Sequence, residues 1–239
     1  MSSIKGKTAL VTGGSKGIGL GIAEALVREG LNVTITARSE EQVEEAAAKL
    51  NEQGPGRALG LVCDVRSLEE QQRVTERTVA EFGQLDVVIA NAGVGGFGAV
   101  DELDVDTWNS VIDTNLTGVF YTVKATVGQL KANRGYLMTV ASLAGTNFFA
   151  GGSAYNASKF GLVGFTQAAM LDLRHYGVKT TTIMPGSVAS YFNDNEPGDK
   201  DAWKIQPEDM GEMVLYLLRT PEQTLPSKIE VRPTMPPKR

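Results

Sequence analysis

The run Thr12-Gly13-Gly14-Ser15-Lys16-Gly17-Ile18-Gly19 constrains this chain more than any other stretch. A short β-rich segment at 7–11 leads into it. Ile18, Ile22, Ala25 and Leu26 then recur at helical spacing until Gly30, a residue suited to a C-cap. Strand, glycine-rich loop and helix in that order turn free backbone N–H groups and the positive end of a helix towards one point, as a pyrophosphate requires. A second strand at 32–37 follows within the length of a βαβ unit. A glycine-rich turn by itself is often only a tight turn. In this setting Gly13, Ser15, Lys16, Gly17, Ile18 and Gly19 read as a dinucleotide-phosphate loop.

Where the second strand ends, an acid would suit unmodified ribose hydroxyls, but the residues are Ala37-Arg38-Ser39. Arg38 and Ser39, with Lys16 in the loop, offer two cations and no anion. A guanidinium binds phosphate oxygens in a forked geometry, so NADP(H) is favoured over NAD(H); the alternative is two solvated surface cations.

Strand and helix signals continue to alternate. A charged amphipathic helix spans 39–50, a third strand 57–63, a helix 68–82, a fourth strand 84–90, and one long helix about 106–130. In that helix Trp108, Val111, Ile112, Leu116, Val119, Phe120 and Val123 form a wide apolar face interrupted by Thr114 and Asn115. A buried asparagine is a structural clamp or part of a site, and periodicity favours the clamp. Strands at 136–141, 178–184 and 228–231 complete seven, with helices at 153–176 and 207–218. The expected fold is a Rossmann-type, doubly wound, seven-stranded parallel sheet with helices on both faces, one domain over 1–239. The polar segment 187–206 reads as a mobile substrate lid, and 233–239 as a frayed tail.

Asp64 follows the third strand and either accepts from an adenine amino group or merely precedes the next helix. Gly93-Val94-Gly95-Gly96-Phe97-Gly98, after the fourth strand, is a flexible loop on the edge that carries the phosphate loop, and it can border a substrate.

The formal charge of −5 argues against a nucleic-acid groove. One cysteine and one histidine leave no disulfide framework, no CxxC metal pair and no His-based triad, so no metal is expected. Cys63 reads as a small buried apolar residue and His175 as a surface residue near a helix end. No signal core opens the sequence and no eighteen apolar residues run together. A soluble cytoplasmic protein without a membrane partner is expected, and the N-x-S/T matches at Asn32, Asn115 and Asn156 are coincidental.

In Ser153-Ala154-Tyr155-Asn156-Ala157-Ser158-Lys159 the tyrosine and lysine are four residues apart, on one face of a helix. An ammonium beside the phenol is expected to lower the tyrosine pKa from ~10 towards neutrality, as general acid–base work requires. Ser142, at the carboxyl end of the apolar strand 136–141, points to where ligands bind in open α/β sheets.

T-G-x-x-x-G-I-G at 12–19, N-A-G at 91–93, Asn115, Ser142, Y-x-x-x-K at Tyr155 and Lys159, and P-G at Pro185 and Gly186 occur in that order. With these motifs the chain resembles the compact single-domain branch of the short-chain dehydrogenase/reductases from about Lys7 to the final strand. The resemblance implies that Tyr155 protonates a carbonyl and that Ser142 hydrogen-bonds the substrate oxygen. Lys159 would grip the nicotinamide ribose and lower the tyrosine pKa, and Asn115 would hold a helix kink and a water in the proton relay, which overturns the clamp reading. Asp64 and Val65 would meet the adenine. Asn91, Ala92 and Gly93 would meet the adjoining ribose, and Pro185, Gly186, Val188 and Ser190 the nicotinamide. Val94, Phe97, Phe148, Tyr191 and Phe192, with Ser142, are the candidate substrate contacts, each open to a plain packing role; Phe149 is a further aromatic in the same group.

The implied function is NADP(H)-dependent interconversion of a secondary alcohol and a ketone or 3-oxo compound. A 3-oxoacyl-carrier-protein reductase is an alternative that would want a basic patch. A non-catalytic NADP(H)-sensing protein is another, and the intact Ser142, Tyr155 and Lys159 weigh against it. The short lid argues against a large buried substrate. The ending Ile229-Glu230-Val231-Arg232-Pro233-Thr234 is similar to that of a subgroup acting on small 3-hydroxy acids. A homodimer through the two long helices, or a homotetramer, is expected.

Overall fold

The central strand β1 (Thr8–Thr12) is buried along its whole length, as a parallel strand covered on both faces must be. In this computed structural model, which describes residues 4–235, it lies in the middle of seven parallel strands ordered β3-β2-β1-β4-β5-β6-β7. The others are β2 (Asn32–Ala37), β3 (Ala58–Val62), β4 (Val87–Ala90), β5 (Tyr136–Val140), β6 (Lys179–Pro185) and β7 (Lys228–Val231). All pair in parallel, so chain direction is uniform and every crossover carries helix. Residues at the start and the end of the tail, 1–3 and 236–239, lie outside the described residues, and so does most of the expected fraying.

Side chains alternate between two cores. Ala9, Val11, Val33, Ile35, Val87 and Ile89 pack with α1 (Gly17–Arg28), α2 (Glu40–Asn51) and α7 (Pro207–Leu218). Leu10, Val88 and Leu137 point the other way, against α3 (Leu68–Phe82), α5 (Gly118–Asn133) and α6 (Ser153–Leu173). The doubly wound, one-domain α/β architecture expected from the sequence is therefore present. The order of strands reverses between β1 and β4, and a crevice opens outside their carboxyl ends.

Three local expectations are corrected. The helix read as continuous over 106–130 is α4 (Val105–Ile112), a π-helical turn (Asp113–Thr117) and α5. Asn115 sits inside the turn, and its amide reaches across to the backbone of Val94, which pulls the local register away from i→i−4 pairing. The strand expected from 84 starts at Val87, because the Asp86 carboxylate takes the Thr8 N–H at 2.8 Å. The segment 187–206 is tied down rather than loose. Ala189 N–H donates to Ile205 C=O, Ile205 N–H to Ser187 C=O, and the Asn195 amide to Ser190 C=O. Buried Asp201 holds Lys204 at 2.6 Å. Among the described residues no helix is long and apolar enough to cross a membrane.

Candidate active site

The crevice has a volume of about 1050 Å³ and runs from Arg38 and Asp64 to Ser142 and Tyr155. Its floor is the loop between β1 and α1. Thr12 Oγ1 accepts the N–H groups of Asn91 and Ala92 at 3.0 and 3.1 Å, and the Asn91 amide donates to the carbonyls of Thr12 and Gly13 at 2.9 and 3.1 Å. The segment after β4 thus staples the loop after β1. Gly13 has φ +64°, and a Cβ at Gly19 would lie 2.3 Å from the Gly13 carbonyl oxygen. The missing side chain at Gly19 lets the loop close on α1.

The start of α1 differs from the other helix starts around it. Ser39, Ser67 and Asp104 cap α2, α3 and α4, each followed by acidic residues in the first turn. The α1 N-cap, Lys16, supplies no capping side chain, and the first turn holds no acid. Its leading N–H groups and the positive helix end are left for an anion in the crevice. That observation, with the close-packed glycines, fits the pyrophosphate of a dinucleotide.

At the far end Arg38, Ser39, Cys63, Asp64, Val65 and Arg66 line the wall. Ser39 is engaged as the α2 N-cap. The Asp64 carboxylate takes both Nε and an amino group of the Arg66 guanidinium, at 2.6 to 3.0 Å. The Arg66 side chain, with a smaller contribution from Arg38, holds Asp64 below its ordinary pKa. Sequence reasoning missed Arg66; a cation two residues beyond an acid at a strand's end was the available signal. Burial pushes the Cys63 thiol up to about 12, which makes it inert packing.

The other end is built by β5 and the first turns of α6. Ser142 Oγ accepts the Ala144 N–H at 3.0 Å and stands near enough to the Tyr155 phenol to favour its ionised form. Lys159, one helical turn beyond Tyr155, is buried, with its Nζ donating to the Val140 carbonyl at 3.1 Å and 5.7 Å from the tyrosine ring centre. Asn115 is fully buried: its amide oxygen takes the Val94 N–H at 2.8 Å, and its NH2 donates to the Val94 carbonyl and to Ser158 Oγ at 3.0 and 3.1 Å. The side chain thus ties Val94 to the π-turn, where the resemblance expects a helix kink.

The expected acidity of Tyr155 is not found. Burial raises its pKa above the ordinary value, and the nearby Ser142 hydroxyl opposes that only in part. The neighbouring ammonium is itself desolvated, its pKa lowered to about 8, and it turns to a carbonyl rather than to the phenol oxygen.

Gly13, Ser15, Lys16, Gly17, Ile18, Asn91, Ala92, Gly93, Pro185, Gly186, Val188 and Ser190 all border the crevice, as do Val94, Tyr191 and Phe192. The 93–98 loop is anchored rather than flexible, at Val94 by Asn115 and at Gly98 by a 2.9 Å bond to the Gly151 carbonyl. Phe97 stands at the rim against the Tyr155 ring. Phe148 is 87% exposed and, like Phe97 and Phe149, is not part of the crevice lining; Phe149, one residue on, is the ring that packs on Phe97. Lys204, also unforeseen, borders the crevice from the lid. His175 is an exposed residue after α6, away from the crevice.

An open parallel sheet with a helix-start anion site at its switch point, and a Ser–Tyr–Lys group beside it, defines a dinucleotide-dependent oxidoreductase. Comparison with known proteins agrees. The family model for short chain dehydrogenase matches residues 7–201. An uncharacterized oxidoreductase of Staphylococcus saprophyticus is 33% identical over 238 residues, covering 98% of this chain and 100% of the relative. An alcohol dehydrogenase of the archaeon Thermococcus sibiricus, solved with 5-hydroxy-NADP, superposes with a TM-score of 0.91 at 29% identity, covering 98% and 99% of the two chains. An actinorhodin polyketide ketoreductase variant with NADPH gives 0.85 at 32% identity, covering 97% of each. The chain belongs to the short-chain dehydrogenase family.

Proposed function

We propose that the protein is an NADP(H)-dependent oxidoreductase that interconverts a secondary alcohol and a ketone or 3-oxo compound, with Tyr155 as the acid/base. The observation that carries this reading is the Tyr155 phenol, beside Ser142 and one turn from buried Lys159, at one end of a crevice whose other end holds Arg38 and Arg66. The Asp64 carboxylate at that end is engaged by Arg66, and among the described residues the Arg38 guanidinium at the crevice has no ion-pair partner, which suits an adenosine 2′-phosphate.

The loop from Gly13 to Ile18 would hold the pyrophosphate. Arg38 would take the 2′-phosphate, Asn91 to Gly93 the adjoining ribose, Lys159 the second ribose, and Pro185 to Ser190 the nicotinamide. When bound, a reduced nicotinamide supplies a hydride, and a ketone that receives it at carbon needs one proton at oxygen to leave as the alcohol. Tyr155 holds that proton: its raised pKa keeps the phenol protonated in neutral buffer. Ser142 donates to the same substrate oxygen and stabilises the charge that gathers there, an effect worth ~3 kcal/mol. Lys159 keeps a positive charge beneath the phenol below about pH 8, which favours proton release when the reaction demands it. Asn115 fixes Val94 and so the wall facing Ser142.

A second copy of the chain is proposed to cover the exposed rings of Trp108, Phe120 and Phe160 on α4, α5 and α6. The direct test of the activity is NADPH consumption against diacetyl, 3-oxo esters, aryl ketones and acyl thioesters. Oxidation of NADPH with at least one carbonyl is expected; none with any of them would contradict the reading.

A further inference from the structure

Four aromatic rings stand in contact with one another, two of them, Tyr155 and Phe192, lining the crevice. Phe149 lies 6.0 Å from Phe97, Phe97 5.4 Å from Tyr155, and Tyr155 5.6 Å from Phe192, measured between ring centres and with every pair tilted. The proton-bearing ring thus touches two phenylalanines, one from the loop after β4 and one from the lid. These phenylalanines are not core: Phe97 is 43% exposed, Phe149 48% and Phe192 37%. A contiguous group of half-exposed large rings around a reactive hydroxyl marks a surface built to be covered by an apolar ligand.

The cations of the crevice stand elsewhere or are occupied. Arg38 follows β2, three strand spacings from β5, or about 14 Å. Arg66 is paired with Asp64 and Lys204 with Asp201, both at 2.6 Å. Lys159 points to the Val140 carbonyl, and Lys16 lies over the Tyr191 ring, 5.7 Å from its centre. A substrate carboxylate held on these rings would lose its water to apolar surface, while Lys159 is turned to a carbonyl.

We propose that the substrate is a neutral ketone carrying an aryl group, packed on Phe97 and Phe192, rather than a 3-oxo carboxylate. The proposal rests on the oxidoreductase reading above and narrows it. It sets aside the expectation of small hydroxy acids drawn from the residues at 229–234. A flat substituent on the carbonyl carbon places the oxygen at Ser142 and Tyr155 while its ring replaces the water over the two phenylalanines.

The test compares kcat/KM with NADPH for ethyl benzoylacetate, the benzoylacetate anion and diacetyl, in the native protein and in Phe97→Ala, Phe192→Ala and Phe97→Leu. The neutral aryl ester is expected to exceed the anion and diacetyl at least tenfold. Its ratio to diacetyl should fall at least tenfold in the two alanine variants, and less in Phe97→Leu, which keeps bulk without a ring. Preference for the anion, or a ratio unmoved in both alanine variants, would overturn the proposal. Binding of 1-phenylethanol to the cofactor-free protein, read by saturation-transfer NMR, separates the two levels of the reading. If no carbonyl is reduced, the oxidoreductase reading fails. Ring contacts that vanish in Phe192→Ala would then still support an aryl site, and absence of binding would end it.

Discussion

Lys159 directs its ammonium at the Val140 carbonyl, 3.1 Å away, while standing 5.7 Å from the ring centre of Tyr155. The two side chains that the helix brings to one face therefore interact through space, without a hydrogen bond between them. Each is perturbed by burial in the direction of its neutral form. The charge that remains on Lys159 biases the phenol at a distance, and its protonation becomes a property that can be titrated.

With its pKa lowered from 10.5 to about 8, folded Lys159 loses its proton before the unfolded chain does. Between those values the unfolded chain binds more protons, so stability rises with pH across that window and is flat below it. Lys159→Met removes this slope. Urea unfolding of the cofactor-free protein at pH 7.5 and 10.5 should show the native-minus-variant stability moving in favour of the native chain by about 3 kcal/mol. A constant difference would mean that the ammonium is not desolvated.

Arg38 meets the crevice at the carboxyl end of β2. Loss of a charge-assisted pair to phosphate costs about 1.5–3 kcal/mol, roughly ten- to a hundredfold in affinity. Arg38→Asp should weaken NADPH by at least that factor in a fluorescence titration and leave NADH within a few-fold. Equal loss for both would contradict its role as phosphate reader.

Asn115 satisfies both backbone groups of Val94 and bonds Ser158, all from a fully buried position. Asn115→Ala leaves those groups unpaired and should lower unfolding stability by about 2–4 kcal/mol. A change below about 0.5 kcal/mol would show that the π-turn does not need its amide.

Much of this architecture was legible because it is written in local signals. The closing helix 207–218 and the strand 228–231 fall where periodicity and Pro207 place them. The Thr12–Gly19 loop was legible because its backbone tolerates no side chain at Gly19. What escaped depends on contacts distant in sequence. The apolar period runs on through 113–117, so nothing local announces the π-turn; its cause is a bond to Val94, twenty-one residues earlier. Phe148 and Phe149 are chemically identical neighbours, and only the backbone decides which of them joins Phe97. The acidity of Tyr155 was read from spacing, whereas its direction follows from desolvation, which spacing does not report. Arg66 became visible only once its guanidinium was seen on Asp64.

The central claim is that Tyr155 delivers the proton while other residues hold the cofactor. Tyr155→Phe keeps the ring against Phe97 and Phe192 and removes only the hydroxyl. NADPH binding by fluorescence titration and single-turnover reduction of a ketone that the native enzyme accepts should be measured on the same preparation. The account predicts an NADPH dissociation constant within a few-fold of native and a reduction rate lower by at least about 10²–10⁴-fold. Reduction within tenfold of the native rate would contradict it.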